Sequence, residues 1–279
     1  MEIVLHDSPE TFAAAAGPVL RADPLRHTVV LTVLDGIRRA GHEAAALLTL
    51  HEAGKVVGAA LRTPGRPVLV SAVPARHAAA AEEALAIADP ELTGATGPIA
   101  ELEAFAAARA ARTGDRTETT MRTRLFELDT LTPPTGVPGA ARRGDENDAD
   151  LLAAWRLAFV EEDHGGWHDP LSPLETVLSG LLLGCAEILW EVGGEPVSHA
   201  AARPVVAGMS RIGPVYTPPE HRNHGYAAAA TAAASQWALD AGADRVLLYT
   251  DLANPVTNRL YPRLGYRPVH EAAEVQFVA

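Results

Sequence analysis

The stretch Val215-Tyr-Thr-Pro-Pro-Glu-His-Arg-Asn-His-Gly-Tyr-Ala227 carries the most legible chemistry in the chain. An apolar strand ends at a double proline, a short polar loop follows, and a glycine opens an unbroken alanine-rich helix. The first turn of a helix leaves backbone N–H groups without partners, and the helix dipole adds positive charge there, so such a turn binds phosphate. Gly225 lets the backbone come close to an anion. Ala227 keeps the first turn slim, and Arg222 adds charge that His221 and His224 can supplement. The same strand–loop–helix geometry also occurs as a plain turn, so phosphate binding stands beside that simpler reading.

The elements that hold this loop follow from residue spacing. Upstream, 194–203 and 209–217 read as strands joined by a turn through Pro204 and Gly208. Apolar residues at Leu151, Leu152, Trp155, Ala158 and Phe159 predict a helix over 148–161, opened by the acidic turn 145–148. A second helix is expected over 172–183, with Ser172-Pro173 at its start, then a strand over 186–192. The alanine-rich helix is expected over 223–241 and a buried strand over 245–250. A helix over 254–264 stops at Gly265, with Asn254 placed to cap its start, and a strand closes the chain near 274–278. The first half has the same rhythm: strands 54–62 and 68–73, then a helix over 76–88. A duplicated unit or a coincidence of layout would both produce that match. Proline and glycine crowd 131–140, which reads as an interdomain linker. The expected fold class is α+β, with two mixed-sheet α/β layer domains in tandem: 1–130, a linker over 131–141, and 142–279.

Composition narrows the partners. The chain has 279 residues, 48% of them apolar, enough to bury two cores. With 23 basic against 35 acidic residues the formal charge is -12, which disfavours nucleic acid and anionic membrane surfaces. The single Cys185 excludes an intrachain disulfide, and its apolar surroundings suit a buried structural thiol. No basic-then-apolar leader and no apolar run of spanning length is visible, so a soluble, cytoplasmic protein is expected. The histidines show no metal-ligand spacing, and no metal is implied.

Arg222-Asn-His-Gly-Tyr-Ala227 resembles the pyrophosphate loop of the GNAT acetyltransferase superfamily, Arg/Gln-x-x-Gly-x-Gly/Ala. Downstream, Asn254-Pro-Val-Thr-Asn-Arg-Leu-Tyr-Pro-Arg-Leu-Gly-Tyr266 resembles the family's Asn-x-x-x-Asn-x-x-Tyr-x-x-x-Gly-Phe/Tyr segment. The motifs come in the family's order, separated by one helix and one strand. The resemblance implies a chain that binds acetyl-CoA and transfers its acetyl group to an amine, of a small molecule in the leading reading. It implies that the backbone N–H groups of Asn223, His224, Gly225, Tyr226 and Ala227, with Arg222, hold the pyrophosphate. Val215, Tyr216 and Thr217 would line the pantetheine arm, which pairs like an extra strand between two splayed parallel strands. The Val215 amide would stabilise the oxyanion. Asn254 and Asn258 would border the cofactor, and Tyr261 would protonate the departing thiolate. Tyr261 can also be an ordinary core tyrosine.

The family has no fixed base for the amine proton. Candidates are Glu161, Glu162, Asp163 and His164 in Glu161-Glu-Asp-His-Gly-Gly-Trp-His-Asp169, with Glu162 favoured. An acidic helix end followed by a turn is the plainer alternative. Glu187 and His199 fall on adjacent strands, and alternation lets one of them face the same cleft. The first half has no glycine at its corresponding loop, Val73-Pro-Ala-Arg-His-Ala78, and no Asn–Asn–Tyr array, so a structural role is expected for it. Two other functions stay open at this stage. One is an acyl-CoA-binding scaffold without catalysis; the other is an acyltransferase for a protein lysine or another acyl group.

Overall fold

In the computed structural model, residues 1–41, 43–164 and 171–279 are described. They form two compact units, one of Met1–Thr123 with His270–Ala279 and one of Arg124–Val269.

Unit one begins with β1 (Glu2–Leu5), α1 (Pro9–Ala22) and α2 (Thr28–Ala40). Ser8 caps α1 by accepting from the Thr11 N–H at 3.2 Å, and Pro9 sits where no helical N–H is needed. Then come β2 (Ala46–Glu52), β3 (Lys55–Arg62), β4 (Val68–Ala72), α3 (Ala78–Ala88), β5 (Gly94–Pro98), α4 (Ile99–Thr113) and β6 (Arg116–Leu128). β2 and β3 form a hairpin whose turn residues Ala53 and Gly54 both have positive φ, the twist a two-residue hairpin needs. β3 and β4 are antiparallel, whereas β4 and β5 are parallel, so α3 makes the crossover. Ala272 to Gln276, near the C-terminus, pair antiparallel with β5. Gly94 permits that pairing, since a Cβ there would meet the Val275 carbonyl oxygen. Leu48, Leu50, Val70, Leu85 and Phe105 fill the core beneath α3 and α4.

Unit two continues with β7 (Ala140–Arg143), α5 (Ala149–His164), α6 (Pro173–Leu183), β8 (Ala186–Val192), β9 (Glu195–Ala202) and β10 (Met209–Tyr216). It ends with α7 (Tyr226–Asp240), β11 (Arg245–Asp251), α8 (Pro255–Arg263) and the start of β12 (Tyr266–Val278). The strand order is β6-β11-β10-β9-β8-β7. Asp145 and Asp148 form a capping box ahead of α5, and Ser172 and Glu175 form another at α6, which stops at the left-handed Gly184. One face of the sheet carries Ile188, Ala200, Ala202, Ile212, Val246 and Leu248 against α7, whose Ala230, Ala234 and Ala238 allow close approach. The opposite face packs Leu189 against Leu152 of α5 and Val177 of α6.

Three expectations need correction. The alanine-rich helix starts at Tyr226 rather than residue 223, because Asn223 (φ 66°) and Gly225 (φ 84°) adopt left-handed conformations that helix cannot contain. The last strand starts at Tyr266, far earlier than residue 274. The segment 131–140 is not a spacer between compact units; it lies wholly inside unit two. There the Thr132 N–H donates to the Leu264 carbonyl at 2.9 Å, and the Trp190 indole donates to the Pro138 carbonyl at 2.9 Å. Its prolines and glycines signal absence of regular structure, not absence of packing. The units part at Thr123 and Arg124, and the last ten residues, His270–Ala279, belong with the first.

Candidate active site

β10 and β11 run parallel and pair from Met209 opposite Arg245 to Ile212 opposite Leu248. The ladder goes no further, although β10 continues to Tyr216 and β11 to Asp251. On its other side β10 shifts register against β9 between Ile212 and Val215, across Gly213-Pro214. Pro214 has no N–H to give to a ladder, so the bulge falls where pairing is weakest. Beyond it Val215 opposes Ala200 and Tyr216 opposes His199. The two strands therefore part at their C-terminal ends, leaving backbone groups of both edges facing a gap.

The loop after β10 turns directly into α7. Gly225 is the N-cap residue of this helix and supplies no side-chain cap to its first-turn N–H groups. Asn223, His224 and Gly225 are exposed, while Tyr226 is buried with its ring stacked on His224, centroids 5.3 Å apart. Arg222 is already engaged: its Nε donates to the Thr217 carbonyl at 2.9 Å and its NH2 to Glu162 at 2.6 Å. The same Glu162 carboxylate accepts from the Tyr216 hydroxyl at 3.0 Å. Burial, then this hydrogen bond to an anion, pushes the Tyr216 phenol up. The sequence thus brings together Glu162, Tyr216 and Arg222, which lie far apart in it. Glu161 is exposed on the same helix end. The side chains of Asp163 and His164, and all of Gly165 to Asp169, lie outside the described residues.

At the end of β11, Asn254 caps α8, its Oδ1 accepting from Val256 and Thr257 at 3.1 and 3.2 Å. Asn258, one turn later, donates from Nδ2 to the carbonyls of Asp251 at 2.8 Å and Asn254 at 2.7 Å. Its Oδ1 is buried and lacks a partner among the described residues. Tyr261 is 5% exposed, with its ring 6.4 Å from Phe126 and 6.1 Å from Tyr266. Asn254, Asn258 and Tyr261 thus share one short helix, anchored by Thr250 and Thr257, whose hydroxyls lie 2.6 Å apart.

Glu187 and His199 stand on one face of the sheet, opposite α7, because His199 opposes Leu189 and Glu187 lies two residues before it. Both are buried, and His199 Nε2 lies 2.5 Å from Glu187 Oε2. Alternation alone suggested that one of them would face the cleft; instead they face the same way and bind each other. Arg156 joins them at 3.3 Å. Burial works to raise the Glu187 carboxyl, but His199, Arg156 and Arg203 outweigh it and hold it down to about 2. Arg156 escaped the sequence reading. Its signal was its place four residues after Leu152, on the stripe of α5 that meets the sheet.

The corresponding loop of unit one, between β4 and α3, has no glycine, and its Arg76 is paired with Glu52 at 3.2 Å. That arginine, foremost, holds the Glu52 carboxyl below its ordinary value.

A model of the acetyltransferase (GNAT) family matches residues 150–266. None of the curated proteins matches the chain in sequence. Among solved structures, a GCN5-related N-acetyltransferase from Sphaerobacter thermophilus is 17% identical, with a TM-score of 0.60 over 98% of this chain and 95% of that one. A second, from Kribbella flavida, is 19% identical, with a TM-score of 0.59 over 89% and 94%. A tandem GNAT protein from the clavulanic acid biosynthesis pathway is 14% identical, with a TM-score of 0.59 over 99% and 97%. At these identities the likeness is one of fold. Among the described residues no helix is long and apolar enough to cross a membrane. Residues 150–266 belong to the acetyltransferase (GNAT) family, in a chain whose fold is that of GNAT proteins, a tandem one among them.

Proposed function

We propose that unit two transfers the acetyl group of acetyl-CoA to a primary amine of a small molecule, by direct attack within a ternary complex. The observation that carries this is the parting of β10 and β11 beside the uncapped, glycine-opened start of α7. The N–H groups from Asn223 to Ala227 hold the pyrophosphate, and Arg222 exchanges Glu162 for it. The edges around Val215, Tyr216 and Thr217 take the pantetheine arm as a strand. Asn254 and Asn258 close the far side, with the unpartnered Asn258 Oδ1 available to a donor.

The neutral amine nitrogen attacks the thioester carbonyl carbon, and the Val215 N–H stabilises the oxygen that becomes negative. Collapse breaks the carbon–sulfur bond, and Tyr261 gives its proton to the sulfur. The amine proton leaves to Glu162, which pyrophosphate binding has released from Arg222. The burial of Tyr261 between Phe126 and Tyr266 favours a second reading, in which the fold binds acyl-CoA and performs no transfer. Calorimetric titration with acetyl-CoA and with CoA, followed by an amine panel monitored by thiol release, tests both. Micromolar binding with amine-dependent thiol release supports transfer. Binding without release from any amine supports the second reading, and no binding at millimolar concentration removes both.

A further inference from the structure

The face of β9, β10 and β11 turned away from α7 carries an arginine with no counter-ion among the described residues. Ile212 and Leu248 pack toward α7, so alternation sends Arg211 and Tyr249 to the opposite face. Arg203 stands beside Arg211, its N–H donating to the Arg211 carbonyl at 2.9 Å. The parallel ladder ends at Ile212 and Leu248, so Arg211 and Tyr249 flank the point at which the strands part. On the transfer reading above, that is where the acetyl group meets its acceptor.

The chain elsewhere supplies carboxylates to its enclosed arginines: Asp89 to Arg62, Glu82 to Arg109, Glu187 to Arg156. No carboxylate pairs with Arg211 among the described residues, and its charged neighbour is Arg203, a like charge. Burial, then Arg203, pushes its guanidinium down to about 10, which leaves it cationic at neutral pH. It sits deep yet keeps part of its surface accessible. An enclosed charge left unpaired costs folding free energy, and a chain of net charge -12 has no shortage of acidic residues to pair with it. The planar guanidinium fork with a phenol O–H nearby matches a carboxylate, which accepts two parallel N–H bonds.

We propose that Arg211, assisted by Tyr249, receives a carboxylate of the acceptor, so that the substrate class is an amine that also bears a carboxylate, such as an α- or ω-amino acid. This assignment rests on the transfer reading, and its test is kept separate from it. Protein saturated with CoA is titrated with α-amino acids and short ω-amino acids, each beside its own carboxamide. The best acid should bind at least about tenfold more tightly than its amide. Arg211→Gln should bind the two alike while keeping its CoA affinity and a melting temperature at or above that of the wild type. Tyr249→Phe should weaken the acid several-fold and the amide little, and it serves if the arginine variant does not fold. Equal binding of acid and amide by the wild type overturns the assignment, as does discrimination that survives in Arg211→Gln. Tighter binding of phosphoethanolamine than of any amino acid also overturns it, in favour of a phosphate. The acetyl-CoA titration decides the transfer reading independently of these results.

Discussion

Glu162 at the end of α5 and Arg222 in the loop before α7 are joined by a 2.6 Å ion pair, 60 residues apart in sequence. The pair places an acid of the acceptor side against the cation of the pyrophosphate loop, so the two proposed sites share one electrostatic contact. Both side chains are about two-fifths exposed, at 40% and 42%. A pair so open to solvent is worth roughly 0–1 kcal/mol to folding.

Glu162→Gln should therefore leave thermal stability nearly unchanged. It frees Arg222 for phosphate, so CoA should bind about two- to fivefold more tightly, the range a surface pair can supply. If Glu162 also takes the amine proton, turnover falls in the same variant. Unchanged or weaker CoA affinity by calorimetry would show that Arg222 does not reach the pyrophosphate.

The buried group Arg156–Glu187–His199 makes a prediction about acid stability. Glu187 is held down to about 2 in the folded protein, against an ordinary value of 4.5. A depressed folded value means that this stabilisation is complete above the unfolded value and is lost as pH falls from about 4.5 toward 2. The amount is on the order of 3 kcal/mol. Urea unfolding of wild type and Glu187→Gln should differ by about that much at neutral pH, with the difference shrinking below the unfolded value and closing only as pH falls to about 2. A constant difference across that window would mean that Glu187 carries no such linkage.

Much of the fold was legible because the local signals were local in cause. Strand 186–192 was read with its observed ends, and the hairpin turns were marked by glycine and proline. Asn254 announced its cap by standing before Pro255, and it does cap α8. Contacts that depend on which segments pack together were not legible. The segment 131–140 looks unstructured residue by residue, yet Val137 lies against Gly225, where an added Cβ would come within 3.1 Å of it. The pairing of Glu187 with His199 and Arg156 needed the register of β8 against β9 and the seating of α5. Neither register nor seating is written in a single chain's periodicity. That Arg211 has no carboxylate beside it among the described residues was invisible for the same reason, since an arginine in a strand gives no sign of what packs against it.

Gly225 allows structural and functional costs to be separated. Its φ of 84° strains any other residue, and Val137 crowds the Cβ position. Gly225→Ala should cost about 1–2 kcal/mol of stability and weaken CoA binding moderately. Gly225→Glu should fold with a similar loss but abolish CoA binding, because its carboxylate meets the pyrophosphate. Circular dichroism monitors the fold and calorimetry the ligand. Wild-type-like affinity in the glutamate variant would remove the loop from the phosphate site.

Tyr261→Phe separates a general-acid role for Tyr261 from a purely packing one. Its ring packs against Phe126 and Tyr266, so phenylalanine keeps the packing and removes only the hydroxyl. Tyr261→Phe should leave CoA affinity and melting temperature near wild type. If the hydroxyl protonates the thiolate, turnover should drop by about 10²–10⁴-fold, the range of a general acid, with the acetyl-CoA KM little changed. The alkaline limb of the pH–rate profile should disappear with it, since that limb reports the acid that must stay protonated. An unaltered turnover and an unaltered alkaline limb would assign the ring to the core alone, and the proton for the thiolate would have to come from water.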